Sequence, residues 1–155
     1  IGAVLNIDGA LTGPPADQVG SQAYFLLSSR EAFPTEAERT SADPAVRNYA
    51  HISTIDIPRN KRRMEQLRNY WAMIEPADHD DLADDLFALR RSRLFRSNFQ
   101  RSAMNESIER LEVAFFRSTL LGDDTALRDL LGKNNQTVRW ISSTSPTPGT
   151  AKARP

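Results

Sequence analysis

Residues 78–132 read DHDDLADDLFALRRSRLFRSNFQRSAMNESIERLEVAFFRSTLLGDDTALRDLLG, and apolar spacing, charge placement and helix stop signals agree throughout this stretch. Its first part spaces three leucines at the 3.6-residue period of an amphipathic helix: Leu82, Leu86 and Leu89. Acidic residues crowd the start of this segment and arginines its end, as the helix dipole favours. Asp78 is a suitable N-cap. We therefore predict a helix over residues 79–96. The DHDD segment does not fit a calcium loop, so no metal site is predicted.

The second part of the stretch has the pattern of a longer helix followed by a short one. Four apolar residues form its inward stripe: Met104, Ile108, Leu111 and Phe115. Ser97 with Gln100 has the form of a capping box, and Gly122 supplies a left-handed stop. Asp124 or Thr125 can cap a short helix that ends at Gly132. A lone helix buries too little surface to be stable, so we predict that the stripe packs against the three leucines.

Upstream, further helices are predicted between proline breaks. A helix is predicted over residues 16–33, a loop over residues 35–44, and another helix over residues 60–75. Residues 45–57 begin as a helix, while residues 52–57 also suit a short extended segment. The predicted fold class is mostly α, an irregular helical bundle or a short stack of helical hairpins. The predicted organisation is an N-terminal arm or hairpin (1–15), a helical domain (16–141) and an extended low-complexity tail (142–155).

The N-terminal residues 1–12 read IGAVLNIDGALT, in which Asp8-Gly9 is a strong turn signal. Residues 4–7 and 10–11 are therefore predicted to form a small hairpin or an extended arm. The segment Asn6-Ile7-Asp8-Gly9-Ala10-Leu11 resembles the first motif of haloacid-dehalogenase-type phosphatases, a strand followed by D-x-D-G-T-L. That resemblance implies a nucleophilic aspartate where Asn6 stands, and an amide cannot form an aspartyl-phosphate. The remaining chain also shows no alternation of strands and helices, so a phosphatase is not predicted.

Composition excludes several classes of protein. The 155 residues suit one domain with a proper core, and 20 basic residues balance 20 acidic ones. The absence of cysteine excludes a disulfide framework, a thiol nucleophile and cysteine-ligated zinc. No apolar run is long enough to span a membrane. Because the chain starts at Ile1 without a signal-like segment, we expect a processed mature form, an incomplete N-terminus or a cut fragment.

No recognisable catalytic constellation occurs in the sequence. Both histidines, His51 and His79, lie outside any serine, metal or phosphate-loop motif. The paired carboxylates near His79 are explained by the arginines that end the same predicted helix. We therefore predict a protein that is not an enzyme, with no cofactor, no metal and no small-molecule substrate.

Two clusters of basic residues are candidate partner-binding sites. The first, at the predicted start of helix 60–75, comprises Arg59, Lys61, Arg62 and Arg63. The second comprises Arg90, Arg91, Arg93 and Arg96. Bases at a helix N-terminus oppose the helix dipole, which indicates an external acidic partner. Nucleic acid is one candidate partner, but a net charge of zero favours protein.

The C-terminal segment completes the predicted interaction surfaces. Residues 142–155, SSTSPTPGTAKARP, cannot form a core, and Trp140 is the last expected anchor on the domain. Lys152 and Arg154 can meet an acidic surface on another subunit. We predict a non-catalytic structural or accessory subunit of a large assembly, such as a mitochondrial respiratory complex or ATP synthase, on the matrix side. The alternatives are an RNA-binding or ribosome-associated helical protein and a viral or phage structural protein, in the cytoplasm or the virion.

Overall fold

A mixed four-stranded sheet forms the centre of the molecule, in a computed structural model that describes residues 2–8, 22–65, 68–82 and 98–143. The strands lie in the order β1-β2-β3-β4: β1 (Ala3–Ile7), β2 (Ala23–Ser29), β3 (Asn69–Ile74) and β4 (Val138–Ser143). The first three are parallel, and β4 is antiparallel to β3. The prediction of a mostly α bundle is therefore wrong, and the fold is mixed α/β.

Strand β2 replaces the middle of the helix predicted over residues 16–33. Every residue of Ala23–Ser29 is buried, because β2 lies between two other strands and both faces of the sheet are covered. A strand buried on both faces has a continuous apolar sequence without the alternation of a half-exposed strand. The run AYFLL therefore carries no period that separates it from a buried helix. A 3-10 turn, Arg30–Ala32, follows the strand.

The region between residues 44 and 74 is one long helix and one strand, which corrects two predictions. Helix α2 (Pro44–Met64) starts at the Asp43 cap and continues through Pro58, so residues 52–57 are helical. The helix predicted over residues 60–75 is wrong, because β3 follows a turn in which Arg68 has a φ of +66°. Short helix α1 (Glu36–Arg39) also occupies part of the predicted loop and begins with a capping box between Thr35 and Glu38.

The two ends of the described chain belong to the sheet. β1 pairs in parallel with β2, with Ala3 beside Ala23 and Ile7 beside Leu27, while residues 10–11 of the predicted N-terminal hairpin lie outside the described residues. β4 continues to Ser143, two residues into the segment predicted as a tail. Residues 3–7 of the predicted arm and residues 138–143 are therefore strands of one sheet. The expected lack of strand–helix alternation is also wrong.

The helices downstream of β3 confirm much of the sequence interpretation. Helix α3 (His79–Leu82) begins after Asp78, whose Oδ1 accepts a hydrogen bond from Asp81 N at 3.0 Å. Helix α4 (Asn98–Phe116) continues into a π-helical turn, Arg117–Leu121, and Gly122 stops it at a φ of +74°. Helix α5 (Thr125–Leu130) is followed by Gly132 at +72°. The predicted stops at both glycines are confirmed, while residues 83–97 lie outside the described part.

Two apolar layers hold the helices on opposite faces of the sheet. Helices α4 and α5 pack on the face that carries Phe25 and Tyr70, where Met104, Leu111 and Phe115 are buried. Helix α2 covers the other face, which carries Tyr24, Leu26 and Trp71. The inward stripe of α4 is thus confirmed, and among the described residues it packs against the sheet in the same cluster as Leu82. Leu86 and Leu89 lie outside the described residues.

Within the described part of the chain, none of the helices combines the length and the apolar character that a membrane span needs.

Candidate functional site

The carboxyl ends of β1, β2 and β3 meet at one edge of the sheet. In open parallel α/β sheets, ligands bind outside this edge at the point where the strand order reverses; the order β1-β2-β3-β4 has no such reversal, so a site here has to be argued from the residues themselves. β1 is followed by Asp8, β2 ends at Ser29, and the turn after β3 leads to His79. This edge therefore brings together three polar residues that are far apart in the sequence.

Asp8 is held rigidly at the end of β1. Its backbone N–H donates to Leu27 O at 2.7 Å, and its φ is +49°. The side chain is only 7% exposed, and Oδ1 accepts a hydrogen bond from Ser29 N at 2.9 Å. The other oxygen, Oδ2, lies 2.8 Å from Nδ1 of His79. Both carboxylate oxygens are thus engaged, and one of them orients an imidazole.

His79 is fixed from several sides at the start of α3. Its backbone N–H donates to Oε2 of Glu31 at 3.1 Å, and Ala77 O accepts from Arg30 N at 3.2 Å. Its side chain remains 48% exposed. A hydrogen bond to a carboxylate favours the tautomer protonated on Nδ1 and leaves Nε2 as the acceptor. The Asp8–His79 pair therefore presents a basic nitrogen at the carboxyl edge.

A cavity of about 330 Å³ opens beside this pair, between the sheet and α2. Its lining includes both members of the pair, Ser28 and Trp71 from the strands, and Ser53 from the helix. The indole Nε1 of Trp71 donates to Ser28 Oγ at 2.9 Å, and the indole ring stacks on Phe33 at 5.2 Å. These contacts fix the polar and aromatic groups of the wall.

One polar group on the cavity wall lacks a partner. Asn60 is 8% exposed, and among the described residues its Oδ1 has no hydrogen-bond partner. A buried acceptor without a donor is unfavourable in a folded protein and calls for an explanation. The oxygen itself has essentially no accessible surface, so it does not face the open part of the cavity. In the same part of α2, Asp56 also lines the cavity, with Oδ1 3.9 Å from the guanidinium of Arg59.

A larger depression of about 790 Å³ lies elsewhere on α2 and is a weaker candidate. Arg39, Arg47 and His51 line it, and all three are exposed. Arg47 donates to Ser41 O, a local contact at the helix start. Its polar groups are solvated and make local contacts, so we place the functional site at the carboxyl edge.

The first basic cluster lies at a helix C-terminus, which reverses part of its interpretation. Lys61, Arg62 and Arg63 form the last turn of α2, where the dipole favours positive charge. The dipole therefore explains these bases without an external partner. Lys61 and Arg62 are exposed, and Arg59 approaches Asp56.

Arg63 is a buried side chain rather than an exposed contact. It is 1% exposed, and its guanidinium lies 4.1 Å from the centroid of the Tyr24 ring. Within the described residues, its Nε and Nη1 have no hydrogen-bond partner. Burial lowers the pKa of Arg63, while burial raises the pKa of the Tyr24 hydroxyl against the opposing effects of Asn6 and Arg63. The cation–π contact with the Tyr24 ring stabilises the buried guanidinium of Arg63.

The remaining predicted site residues divide between the core and the undescribed segments. Trp140 stacks on Phe25 at 5.7 Å with an interplanar angle of 9°, and it is part of the core on the α4 face. It anchors β4 to the sheet, but Ile141 packs on the opposite face and strand pairing continues to Ser143, so Trp140 is not the last anchor. Its role in binding a partner stays a prediction. The residues of the second cluster and the tail lie outside the described ranges: Arg90, Arg91, Arg93, Arg96, Lys152 and Arg154.

Sequence reasoning did not identify the Asp8–His79 pair. Asp8 was interpreted as part of a turn and His79 as part of an acidic helix start. The available signal was that Asp8 directly follows the apolar strand β1, while His79 comes five residues after the end of β3. The phosphatase resemblance placed Asp8 at a strand end, where the structure has it, but Asn6 lies within β1 and donates to the Tyr24 hydroxyl at 2.8 Å.

Comparison with protein families, curated proteins and solved structures gives no significant match to this chain. Among the described residues, no group of three or more acidic, histidine or cysteine side chains is arranged to hold a metal ion.

Proposed function

We propose that this chain binds a small polar molecule in the carboxyl-edge cavity and that His79, oriented by Asp8, exchanges a proton with it. The observation that carries this proposal is the 2.8 Å contact between Asp8 Oδ2 and His79 Nδ1 at the cavity lining. Proton exchange with a bound molecule differs from the sequence-based expectation that the protein is not an enzyme. That expectation stays a prediction.

The chemistry follows from how the pair is held. A positioned imidazole that lies within hydrogen-bond reach of a substrate acts as a general base or acid. Asp8 is buried and accepts a hydrogen bond from Ser29 N, so it holds the orientation of the imidazole ring. The exposed portion of His79 leaves the ring accessible to a molecule that enters the cavity.

A cavity-filling substitution tests the binding step. In Ser53→Leu, a larger side chain replaces a residue on the cavity wall that is 8% exposed. We expect molecules that bind wild-type protein, found by ligand-detected NMR with a mixture of small metabolites, to bind the variant at least about tenfold more weakly. Circular dichroism establishes that the variant is folded, and Ser53→Val serves if leucine is too large.

The matched control is Thr54→Leu, the same new side chain at the next position of α2. Thr54 lines the separate depression beside Arg47, so its replacement leaves the proposed cavity open. If the affinity of a ligand falls equally in both variants, or falls in neither, the carboxyl-edge cavity is not its binding site.

A second candidate function is the predicted role as a subunit of an assembly, favoured by an exposed apolar patch. Val113, Leu120 and Leu121 are 56%, 60% and 76% exposed, and with Phe116 they line a depression of about 370 Å³. Contiguous exposed apolar side chains mark protein interaction sites. A mitochondrial, virion or cytoplasmic location and an RNA partner stay predictions.

Replacing both Leu120 and Leu121 by serine tests this candidate. We expect the double variant to keep its fold, because both side chains are largely exposed, and to lose a stoichiometric protein partner that co-purifies with the wild type from the organism that makes it. Arg128→Ser on α5 is the control for an exposed change nearby. A partner retained by the double variant would exclude this patch as its interface.

A further inference from the structure

We infer that the edge of the sheet at β1 and the exposed apolar patch beside it form one surface that binds a second copy of this chain. The inference rests on the second candidate function, because it uses the same patch and names the partner that covers it. The patch consists of four side chains at the end of α4 and in the turn that follows: Val113, Phe116, Leu120 and Leu121.

The two edges of the sheet differ in how they are protected from pairing with another chain. β4, at one edge, is bulged opposite Trp71 and Ala72 and carries the charged Arg139. Bulges and charges are features that keep an edge strand from accepting a further strand. β1, at the other edge, has the sequence AVLNI, and among the described residues it pairs only with β2. Because β1 has neither a charge nor a proline, it is the edge that can accept another strand.

The backbone groups that face outward from β1 belong to alternate residues. Asp8 N–H donates to Leu27 O of β2, and successive residues of a strand direct their backbone groups to opposite sides. The N–H and C=O groups of Ala3, Leu5 and Ile7 therefore point away from β2. If β1 pairs antiparallel with β1 of a second copy, Leu5 lies opposite Leu5 of that copy and Ala3 lies opposite Ile7. All of these are hydrogen-bonded pairs, so the pairing satisfies the outward-facing groups.

The apolar patch is continuous with this edge of the sheet. A Cβ atom placed on Gly2, directly before β1, would lie 3.4 Å from Leu120 Cδ2. Ala3 and Leu5 pack against the same core cluster as Phe116 of the patch. A molecule that pairs with β1 therefore also meets the exposed leucines.

A second copy fits this surface because the surface complements itself. A two-fold axis perpendicular to the sheet, through the Leu5 pair, keeps α4 of both copies on the same face, so the two patches approach each other across the junction. Glu112 and Arg117 lie at the rim of each patch and carry opposite charges, although Arg117 also binds Asp123 of its own chain. The net charge of zero means that two copies do not repel each other as strongly charged chains would.

Sedimentation equilibrium of the full chain tests whether it dimerises through this edge. We expect the wild type to be mainly dimeric at about 100 μM, and Ala3→Pro to raise the dissociation constant of the dimer at least about tenfold. Proline removes the outward N–H of the first strand residue and leaves the hydrogen bonds with β2 in place. Replacing both Leu120 and Leu121 by serine should weaken the dimer by a similar factor. Ile55→Ser is the control, because Ile55 is 50% exposed on α2, which lies over β3 and β4.

Engineered cysteines test the register of the pairing in a chain that has no native cysteine. In the double variant Ala3→Cys with Ile7→Cys, the new residues of the two copies lie opposite each other with Cα atoms about 5.5 Å apart, within the range of a disulfide. We expect copper phenanthroline to convert this variant into a covalent dimer. Ile7→Cys alone should not be cross-linked, because the two copies of residue 7 are about 14 Å apart along the strands.

Each result supports or overturns the inference. A wild-type chain that stays monomeric overturns it, and so does a dimer that is equally stable in Ala3→Pro or that the cysteine pair does not cross-link. If circular dichroism shows that Ala3→Pro is unfolded, Ile7→Lys replaces it, because Ile7 is 39% exposed and a charge there opposes edge pairing. If the wild type is monomeric but the double serine variant loses a co-purifying protein of another sequence, the second candidate function stands and only the inference of a second copy is overturned.

Discussion

Replacement of Phe115 by alanine is expected to lower the free energy of unfolding by about 3–5 kcal/mol. Phe115 is fully buried between α4 and the sheet. The centroid of its ring lies 5.4 Å from that of Phe25 and 6.1 Å from that of Tyr70. The substitution removes the ring from both edge-to-face contacts and leaves a cavity between helix and sheet. Collapse of α4 into that cavity is limited because the sheet beneath it is closed by pairing on both sides of β2 and β3.

Urea denaturation followed by far-ultraviolet circular dichroism measures this loss. Val113→Ala is the matched control on the same helix, because Val113 is 56% exposed and its truncation should change stability by less than about 0.5 kcal/mol. If Phe115→Ala and Val113→Ala had similar stabilities, the inward face of α4 would be misassigned.

Replacement of Trp71 by alanine is expected to destabilise the protein by a similar amount, about 3–5 kcal/mol, through the opposite face of the sheet. Trp71 is 1% exposed in the centre of β3, packs under α2 and stacks on Phe33. Its removal also breaks the Nε1 hydrogen bond that holds Ser28, so the floor of the cavity is lost. Ligand binding should therefore disappear together with stability.

Trp71→Phe separates the contribution of apolar packing from that of the indole hydrogen bond. This variant keeps most of the apolar surface and removes the indole donor, so we expect a loss of about 1 kcal/mol from the hydrogen bond plus a smaller packing loss. Ile55→Ala on the outer side of α2, where Ile55 is 50% exposed, is the control and should be nearly neutral. A Trp71→Ala protein as stable as Ile55→Ala would contradict the placement of β3 inside the sheet.

Local signals predicted the C-terminal helices correctly. The stripe on α4, the Asp78 cap and the left-handed stops at Gly122 and Gly132 depend on residues within one or two turns of each other. Such features are set by backbone sterics and by side chain to backbone hydrogen bonds, which act whatever the rest of the chain does. They were therefore available from the sequence alone.

The strands were not predictable in the same way. Residues 23–29 and 69–74 are short apolar runs that suit a buried helix segment as well as a buried strand. What decides between these states is whether neighbouring strands exist to satisfy the backbone hydrogen bonds, and the paired residues of those neighbours lie about 20 to 73 positions away in the chain. The turn before β3 adds a further obstacle, because its left-handed residue is Arg68 rather than a glycine.

Residue types and their local spacing are enough to predict the helix starts and stops, the buried stripe of α4 and the lack of thiol chemistry. The parallel sheet, and with it the candidate site, depends on contacts between segments that are far apart in the chain. Asp8 and His79 are 71 residues apart, and their contact exists because parallel strands place their carboxyl ends at one edge. The pairing of β1 with β2 and of β2 with β3 is stabilised by contacts between residues that are far apart in the sequence, and each strand needs the others in place. The contact between Asp8 and His79 therefore cannot be predicted from either residue or from its neighbours in the sequence.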